Sequence, residues 1–210
     1  EVKSGGFYAL LNTPNTGVAS TRTLYVEDLN GTTPVLRRFG VNASGKVVVD
    51  NAALTTTSFS DTATFDEITL KRLLNLLGFN NLPNTAVKDM TLTTANATEE
   101  IRVVGATIHS TPAAVSYSAT LDDDGKVTAT RDDYVLFGSS EGGLHLVDAD
   151  NYSAGGDGGK EDFVVIPREM LIDKNKSLAL VDDSNKAQIG SPNFGIDAPW
   201  LVSADYKYDL

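Results

Sequence analysis

Short apolar segments separated by turn-forming residues recur along this chain and limit the folds open to it. Three pairs of segments read as hairpins: VLRRFGV and KVVVD flank NASG, AVSYSATL and KVTATR flank DDDG, and YVLFG and GLHLVD flank SSEG, the centre of GSSEGG. Gly, Asn and Asp tolerate the left-handed backbone that tight hairpin turns require. The paired segments are therefore predicted to be antiparallel strands. Further strands are predicted in FYALL, TLYVEDL, EIRVVGATI, EDFVVIP, SLALVD and WLVSADY, so an all-β fold is expected.

One stretch departs from this pattern and predicts an inserted amphipathic helix near residues 65–77. In FDEITLKRLLNLLG the leucines recur at helical spacing and share one face. These are Leu70, Leu73, Leu74 and Leu77. Thr64 and Glu67 have the spacing of a capping box, and Gly78 stands where a C-terminal glycine cap belongs. A second, shorter helical turn is predicted after Pro167, in PREML.

Charge and composition exclude several classes of function. The chain has 28 acidic and 17 basic residues, and its net charge of −11 repels a phosphate backbone, so we expect no nucleic-acid partner. It has no Cys, which rules out disulfides and zinc–cysteine sites. The sequence contains no run of about 18 apolar residues, so no membrane-spanning helix is predicted. Because the chain starts at Glu1, with neither an initiator Met nor a signal sequence, we expect a piece of a longer protein.

The predicted strands are apolar on both faces, which is typical of strands inside stacked sheets. Their short spacing, with a Gly turn and an Asp-rich turn recurring, favours a β-propeller of four-stranded antiparallel blades. At roughly 40 to 50 residues per blade, the chain holds only about three to five blades, so the propeller is expected to be incomplete. Residues 1–210 are interpreted as a single domain with no internal boundary. A β-sandwich is the alternative architecture.

Four segments, in order, resemble motifs of the C-terminal β-propeller of the type IV pilus tip-associated PilY/PilC proteins. They are VVGATIHSTPAAV, YVLFGSSEGGLHLVDADN, GGKEDFVVIPREML and FGIDAPWLVSADY. The positions that match the family pattern are Gly105, Ile108, His109, Ser110, Pro112, Gly138, Gly142, Leu144, His145, Asp148, Ala149, Glu161, Phe163, Ile166, Pro167, Asp197, Pro199, Ala204 and Asp205. The sequence departs from the pattern mainly in turns, for example at Ala106 and Ala198, where the family has Asp and Gly.

This resemblance implies a non-enzymatic module for pilus assembly and adhesion. It would be exported, sit at the pilus tip and be associated with the cell surface or outer membrane. Its expected partners are pilins and minor pilins, while host or abiotic surfaces would be bound through other regions of the longer protein. The resemblance implies no cofactor in this segment, and calcium is possible in the full-length protein.

Two other readings of the sequence stay open at this stage. The hairpin YVLFGSSEGGLHLVDADN is also similar to repeats of pyrroloquinoline quinone dehydrogenases, which predicts a quinoprotein-like propeller enzyme. Against that alternative, the chain has one clear copy of the repeat, no vicinal Cys pair and a single tryptophan, Trp200, for stacking on a cofactor. The third reading is a generic adhesive β-sandwich of the surface-layer kind.

Few residues suggest site chemistry. His109 and His145 lie in strand-like apolar settings and are interpreted as structural hydrogen-bonding groups, with a metal site or a Ser-His-Asp arrangement as alternatives. Carboxylates in two loops are weak calcium candidates. These are the DDDG aspartates Asp122, Asp123 and Asp124, read mainly as a solvated hairpin tip, and the later set Asp148, Asp150 and Asp157. No catalytic residue is predicted.

Overall fold

The computed structural model describes residues 19–20, 22–97, 107, 109–149, 158–177, 179–180, 194–196 and 198–207. Within them, eight strands form one sheet in the order β4-β3-β2-β1-β8-β7-β6-β5. The strands are β1 (Leu24–Asn30), β2 (Thr33–Val41), β3 (Val47–Val49), β4 (Ala52–Ala53), β5 (Ala113–Leu121), β6 (Val127–Gly138), β7 (Leu144–Asp148) and β8 (Glu161–Ile166). The predicted strand FYALL, and all of EIRVVGATI except Thr107, lie outside the described residues.

The sheet consists of two four-stranded antiparallel halves, β1–β4 and β5–β8, in each of which neighbours along the chain are neighbours in space. The halves meet where β1 runs parallel to β8, with Leu24 opposite Val164 and Val26 opposite Ile166. The all-β class is therefore confirmed. Because the sheet is open and continuous, the finer prediction of propeller blades stays a prediction.

The three predicted hairpins are present. Val41 pairs with Val47 around NASG, Leu121 with Val127 around DDDG, and Gly138 with Leu144 around GSSEGG. Each turn contains one glycine with positive φ: Gly45, Gly125 or Gly142. One detail differs from the prediction, because KVTATR and YVLFG form a single twelve-residue strand, β6. The two aspartates between them interrupt the apolar pattern but not the backbone pairing to β5.

Helix α1 (Glu67–Leu76) confirms the predicted amphipathic helix, and its leucine stripe is buried. It ends as predicted: Gly78 has φ 94°, its N–H donates to Asn75 O, and Phe79 N–H donates to Leu74 O, the Schellman pattern. The predicted capping box is wrong. Asp66 is the N-cap and accepts from Thr69 N–H at 2.7 Å. Its carboxylate directly precedes the helix, whereas Thr64 is held by the Asp61 side chain.

The second predicted helix is also present, as α2 (Arg168–Ile172), which buries Met170 and Leu171. The predicted strand WLVSADY is wrong: residues 200–206 have no strand pairing, and Leu201 is almost fully exposed. In SLALVD, the residues that the structure describes, Ser177, Ala179 and Leu180, form a turn region. A short segment beside turn residues predicts a strand in WLVSADY, but none of the described strands pairs with it.

One hydrophobic core joins β1–β3, α1, the loop that follows α1, and the end of β8 with α2. At its centre are Leu24, Phe39, Leu73, Phe79 and Leu171, each at most 1% exposed. Phe59 and Phe65 stack at 3.8 Å between ring centroids beside the start of α1. Neither of the helices in the described ranges is long and apolar enough to cross a membrane. The core lies mainly under the N-terminal half of the sheet, which leaves much of β5 and β6 outside it.

Candidate functional site

A buried ion pair fastens the two halves of the sheet at their junction. Arg22 lies just before β1, and Glu161 is the first residue of β8. Arg22 Nε and Nη2 donate to the two carboxylate oxygens of Glu161 at 2.6 and 2.8 Å, a bidentate pair. Arg22 Nη1 donates to the carbonyl of Leu76 at 3.2 Å, at the end of α1. Because both side chains are less than 10% exposed, the pair is shielded from water and salt.

His145 extends this ion pair into the hairpin between β6 and β7. Its Nδ1 lies 2.7 Å from Glu161 Oε2, and its Nε2 lies 2.8 Å from Ser139 Oγ. An ionised carboxylate only accepts hydrogen bonds, so Nδ1 carries the proton and Nε2 accepts from the Ser139 hydroxyl. The Phe137 ring stacks on the imidazole with 5.1 Å between centroids. Both ring nitrogens of His145 therefore have hydrogen-bond partners inside the protein.

The charges in this cluster are set by burial and by Arg22. Burial lowers the pKa of His145, and the nearby Arg22 charge lowers it further, against the opposing influence of Glu161. Burial alone would raise the pKa of Glu161, but the Arg22 charge and the hydrogen bonds from His145 and Arg22 outweigh it and hold that pKa below its usual range. The network at neutral pH is therefore one cation, one anion and a neutral imidazole.

Ser139, His145 and Glu161 follow the order of a nucleophilic Ser-His-carboxylate relay. Such a relay acts only if a substrate carbonyl can approach within about 3 Å of the hydroxyl oxygen. Ser139 has no exposed surface, and its N–H already donates to Gly143 O at 2.9 Å. The conformation described here gives a substrate no route to the hydroxyl. What this arrangement does is hold the junction of the sheet together.

The four segments that carry the family resemblance meet at this network. Ser110 of the first segment accepts from Gly138 N–H of the second at 2.8 Å. Glu161 of the third contacts His145 of the second, as described above. Ile196 of the fourth donates its N–H to Ser139 O at 3.0 Å. Residues far apart in sequence thus form one hydrogen-bonded unit around the β6–β7 turn.

Glycines allow this close approach. A Cβ added to Gly138 would lie 2.5 Å from Ile196 O, so a side chain there would push the fourth segment away. Gly142 has φ 86°, and an added Cβ would lie 2.8 Å from Ser177, whose hydroxyl donates to Glu141 O. Two of the predicted motif glycines are therefore required by packing around the turn.

Several other predicted motif residues lie at the surface or outside the described residues. His109 is exposed in a bend before β5, with its ring 6.5 Å from that of Phe194, so the predicted strand-like setting is wrong for this histidine. Pro112, Pro199 and Asp205 are exposed, and Leu144 is partly buried in β7. Three motif residues, Gly105, Ile108 and Asp197, and two calcium candidates, Asp150 and Asp157, lie outside the described residues.

The described residues contain no cluster of three or more acidic, His or Cys side chains placed to hold a metal ion. Asp148 uses its main chain to bond Lys160 and Gly159 beside β8. In the DDDG turn, Asp122 Oδ1 accepts from the N–H groups of Asp124 and Lys126 at 3.1 and 2.8 Å. The Asp122 side chain thus stabilises the hairpin tip by accepting hydrogen bonds from the backbone of the turn.

Sequence reasoning missed Arg22 and Ser139 and gave Glu161 only a place in a motif. The hairpin register contained a signal for Ser139: His145 lies opposite Phe137, and Ser139 is two residues further along the same face. Nothing local marks Arg22, because its partner is 139 residues away.

Searches with this chain match no protein-family model, no curated protein and no solved structure. The fold and the network define a mostly β protein in which a buried polar cluster fastens two antiparallel half-sheets. The family resemblance rests on the four quoted segments.

Proposed function

We propose that this chain is a non-enzymatic docking module of the type IV pilus tip, from the C-terminal region of a PilY/PilC-type protein. The observation that carries the proposal is the meeting of the four motif segments around the β6–β7 turn. The hydrogen bonds that these segments share support a single structural unit instead of four independent likenesses.

Two further features support a docking role. The Ser-His-Glu arrangement is sealed by its surroundings, so its geometry favours structure over chemistry. Each half of the sheet has the four antiparallel strands that a propeller blade would have, and we propose that the intact domain is a propeller in which these halves are blades. The hydrogen-bonded β1–β8 contact is a departure from separate blades.

In this proposal the protein is exported and acts by contacts with pilins and minor pilins at the pilus tip. Binding of host or abiotic surfaces belongs to other parts of the longer protein. The proposed function is protein docking, which depends on shape complementarity between the two surfaces. A sheet whose halves are joined by a buried ion pair can keep such a surface in one shape.

The test is immunogold labelling of pili from the source strain with antibody raised against this chain, next to piliation counts in a deletion strain. We expect gold at pilus ends, few surface pili after deletion, and recovery when the gene is restored. Gold absent from pili, with normal piliation in the deletion strain, would overturn the proposal.

A further inference from the structure

The hairpin of β5 and β6 projects beyond the rest of the sheet. β6 has twelve residues, but its pairing with β7 begins only at Tyr134, opposite Asp148. One further hydrogen bond, from Ala149 N–H to Asp133 O at 2.8 Å, is the last that the structure describes between β6 and the chain after β7. Residues 117–132, called the arm here, are therefore a two-stranded ribbon flanked by no other described strand.

The arm contributes nothing to the interior of the protein. Of the residues between 111 and 136 whose burial the structure describes, none is buried. Tyr117 is 55% exposed and Val127 50% exposed, and Leu121 lies directly opposite Val127. Within the hairpin itself, Tyr117 contacts Tyr134 edge-to-face, with 5.1 Å between ring centroids. An isolated two-stranded ribbon is only marginally stable in water, so the apolar surface that this contact leaves exposed is available to a partner.

The backbone of the arm does not favour addition of a further strand. The β5–β6 register shifts twice, between Ser116 and Ser118 and between Ala119 and Leu121. Such bulges twist an edge and interrupt its row of hydrogen-bonding groups. The exposed side chains, with Tyr117 as the largest, are therefore the contact surface. Tyrosine is enriched among the residues that dominate binding energy at interfaces.

The charge of the arm selects the partner. Its tip carries Asp122, Asp123 and Asp124 against Lys126, and the whole chain has a net charge of −11. A complementary partner presents Lys or Arg around an apolar centre. The attraction between opposite charges speeds association with such a partner, and repulsion between like charges disfavours partners with acidic surfaces.

We propose that the arm, through Tyr117, Leu121 and Val127 with the aspartates at its tip, docks onto a basic, apolar-centred surface of a pilin. This inference rests on the proposed pilus-tip function and names the surface that would perform it. The contact is made by side chains of a protruding ribbon, whose base is held by the pairing of Tyr134 with Asp148.

The test measures binding of the full 210-residue chain to the purified soluble head domains of the source strain's major and minor pilins, each immobilised separately. The arm variant is Tyr117→Ser with Val127→Ser. Its matched control is Leu36→Ser with Ile68→Ser, because those side chains are 55% and 56% exposed on other elements. A second variant, Asp123→Asn with Asp124→Asn, removes tip charge but keeps the Asp122 side chain that bonds the turn.

We expect one pilin to bind the native chain, the arm variant to bind at least about tenfold more weakly, and the control to bind as the native chain does. The charge variant should lose affinity mainly at low salt, through slower association. Circular dichroism and thermal unfolding confirm that each variant is folded. Equal binding by the arm variant and the native chain would contradict the docking role of the arm and would leave the proposed pilus-tip function untouched. If the native chain binds none of the pilins, the docking role of the arm is contradicted, even if immunogold labelling places the protein at the pilus tip.

Discussion

At the scale of single residues, Arg22 and Glu161 carry opposite charges into the interior and meet in a bidentate pair. The two charges neutralise each other, and the carbonyl of Leu76 and the ring of His145 make further hydrogen bonds to the pair. Removing one partner leaves the other charge buried and unpaired, which is far more costly than loss of an exposed pair.

Glu161→Gln tests this. We expect the free energy of unfolding to fall by about 3 to 5 kcal/mol, because the Arg22 charge keeps its burial but loses its counterion. Urea denaturation followed by fluorescence of the single tryptophan, Trp200, or by circular dichroism measures the change. Asp89→Asn, which breaks the exposed Lys88–Asp89 pair, is the control and should change stability by at most about 1 kcal/mol. A Glu161→Gln protein as stable as the control variant would show that the buried pair contributes little.

At the scale of elements, the β2–β3 hairpin shows how a turn glycine can be fixed by its neighbours. Gly31 and Gly45 both have positive φ, 64° and 75°. A Cβ on Gly31 would meet nothing within 4 Å, whereas one on Gly45 would lie 2.0 Å from Leu92 O. The Gly45 carbonyl also accepts from Leu92 N–H at 2.8 Å, so the turn and the loop after α1 are bonded together.

The pair Gly31→Ala and Gly45→Ala separates backbone strain from crowding. Gly31→Ala should cost about 1 to 2 kcal/mol, from left-handed backbone alone. Gly45→Ala should cost clearly more, because the loop containing Leu92 must move as well. Thermal unfolding of both variants measures the difference. Equal melting temperatures would mean that the loop containing Leu92 can move aside at no cost in stability.

Features set by neighbouring residues were predictable at this scale, and features set by distant ones were not. The turn glycines and the leucine stripe of α1 depend on local chemistry, and the sequence located both. The prediction of the N-cap was wrong because both Thr64 and Asp66 offer a side-chain acceptor near the start of α1. Asp66 is the N-cap, because its carboxylate lies one residue before the helix. As a short segment beside turn residues, WLVSADY predicts a strand, but a strand also needs an edge to pair with.

At the scale of the whole molecule, the two half-sheets, the end of α1 and the β6–β7 turn are joined by one polar network with a titratable ring inside it. The sequence offered no sign of this junction, because parallel pairing of β1 with β8 joins segments separated by more than half the chain. The candidate site was predicted only as His145 and a set of motif positions.

Stability should fall on acidification, with His145 responsible for the first part of the loss. Burial lowers its folded pKa below the ordinary 6.5, so below that pH the unfolded chain binds more protons than the folded protein. The stabilisation is complete above pH 6.5 and is lost as pH falls from 6.5 toward the folded pKa, with a slope of at most about 1.4 kcal/mol per pH unit for one group. Glu161 adds a further loss below its ordinary value of 4.5, because its folded pKa is also lowered.

Urea denaturation between pH 6.5 and pH 4.5 measures this slope in the native chain and in His145→Gln. The variant has no ionisable ring at this position, so its stability should change less across this interval. An identical slope in the two proteins would assign the acid sensitivity to other groups.

The pairing of β1 with β8 also orders events during synthesis. Arg22 and Glu161 are 139 residues apart, so β1–β4 leave the ribosome long before the strand that completes their edge. Until then β1 presents an open row of backbone groups to other nascent chains. Contacts of such long sequence separation also slow the final step of folding. A chain interrupted before β8 should therefore aggregate through β1, and a cell that makes this protein needs to shield that edge while the second half-sheet is still being made.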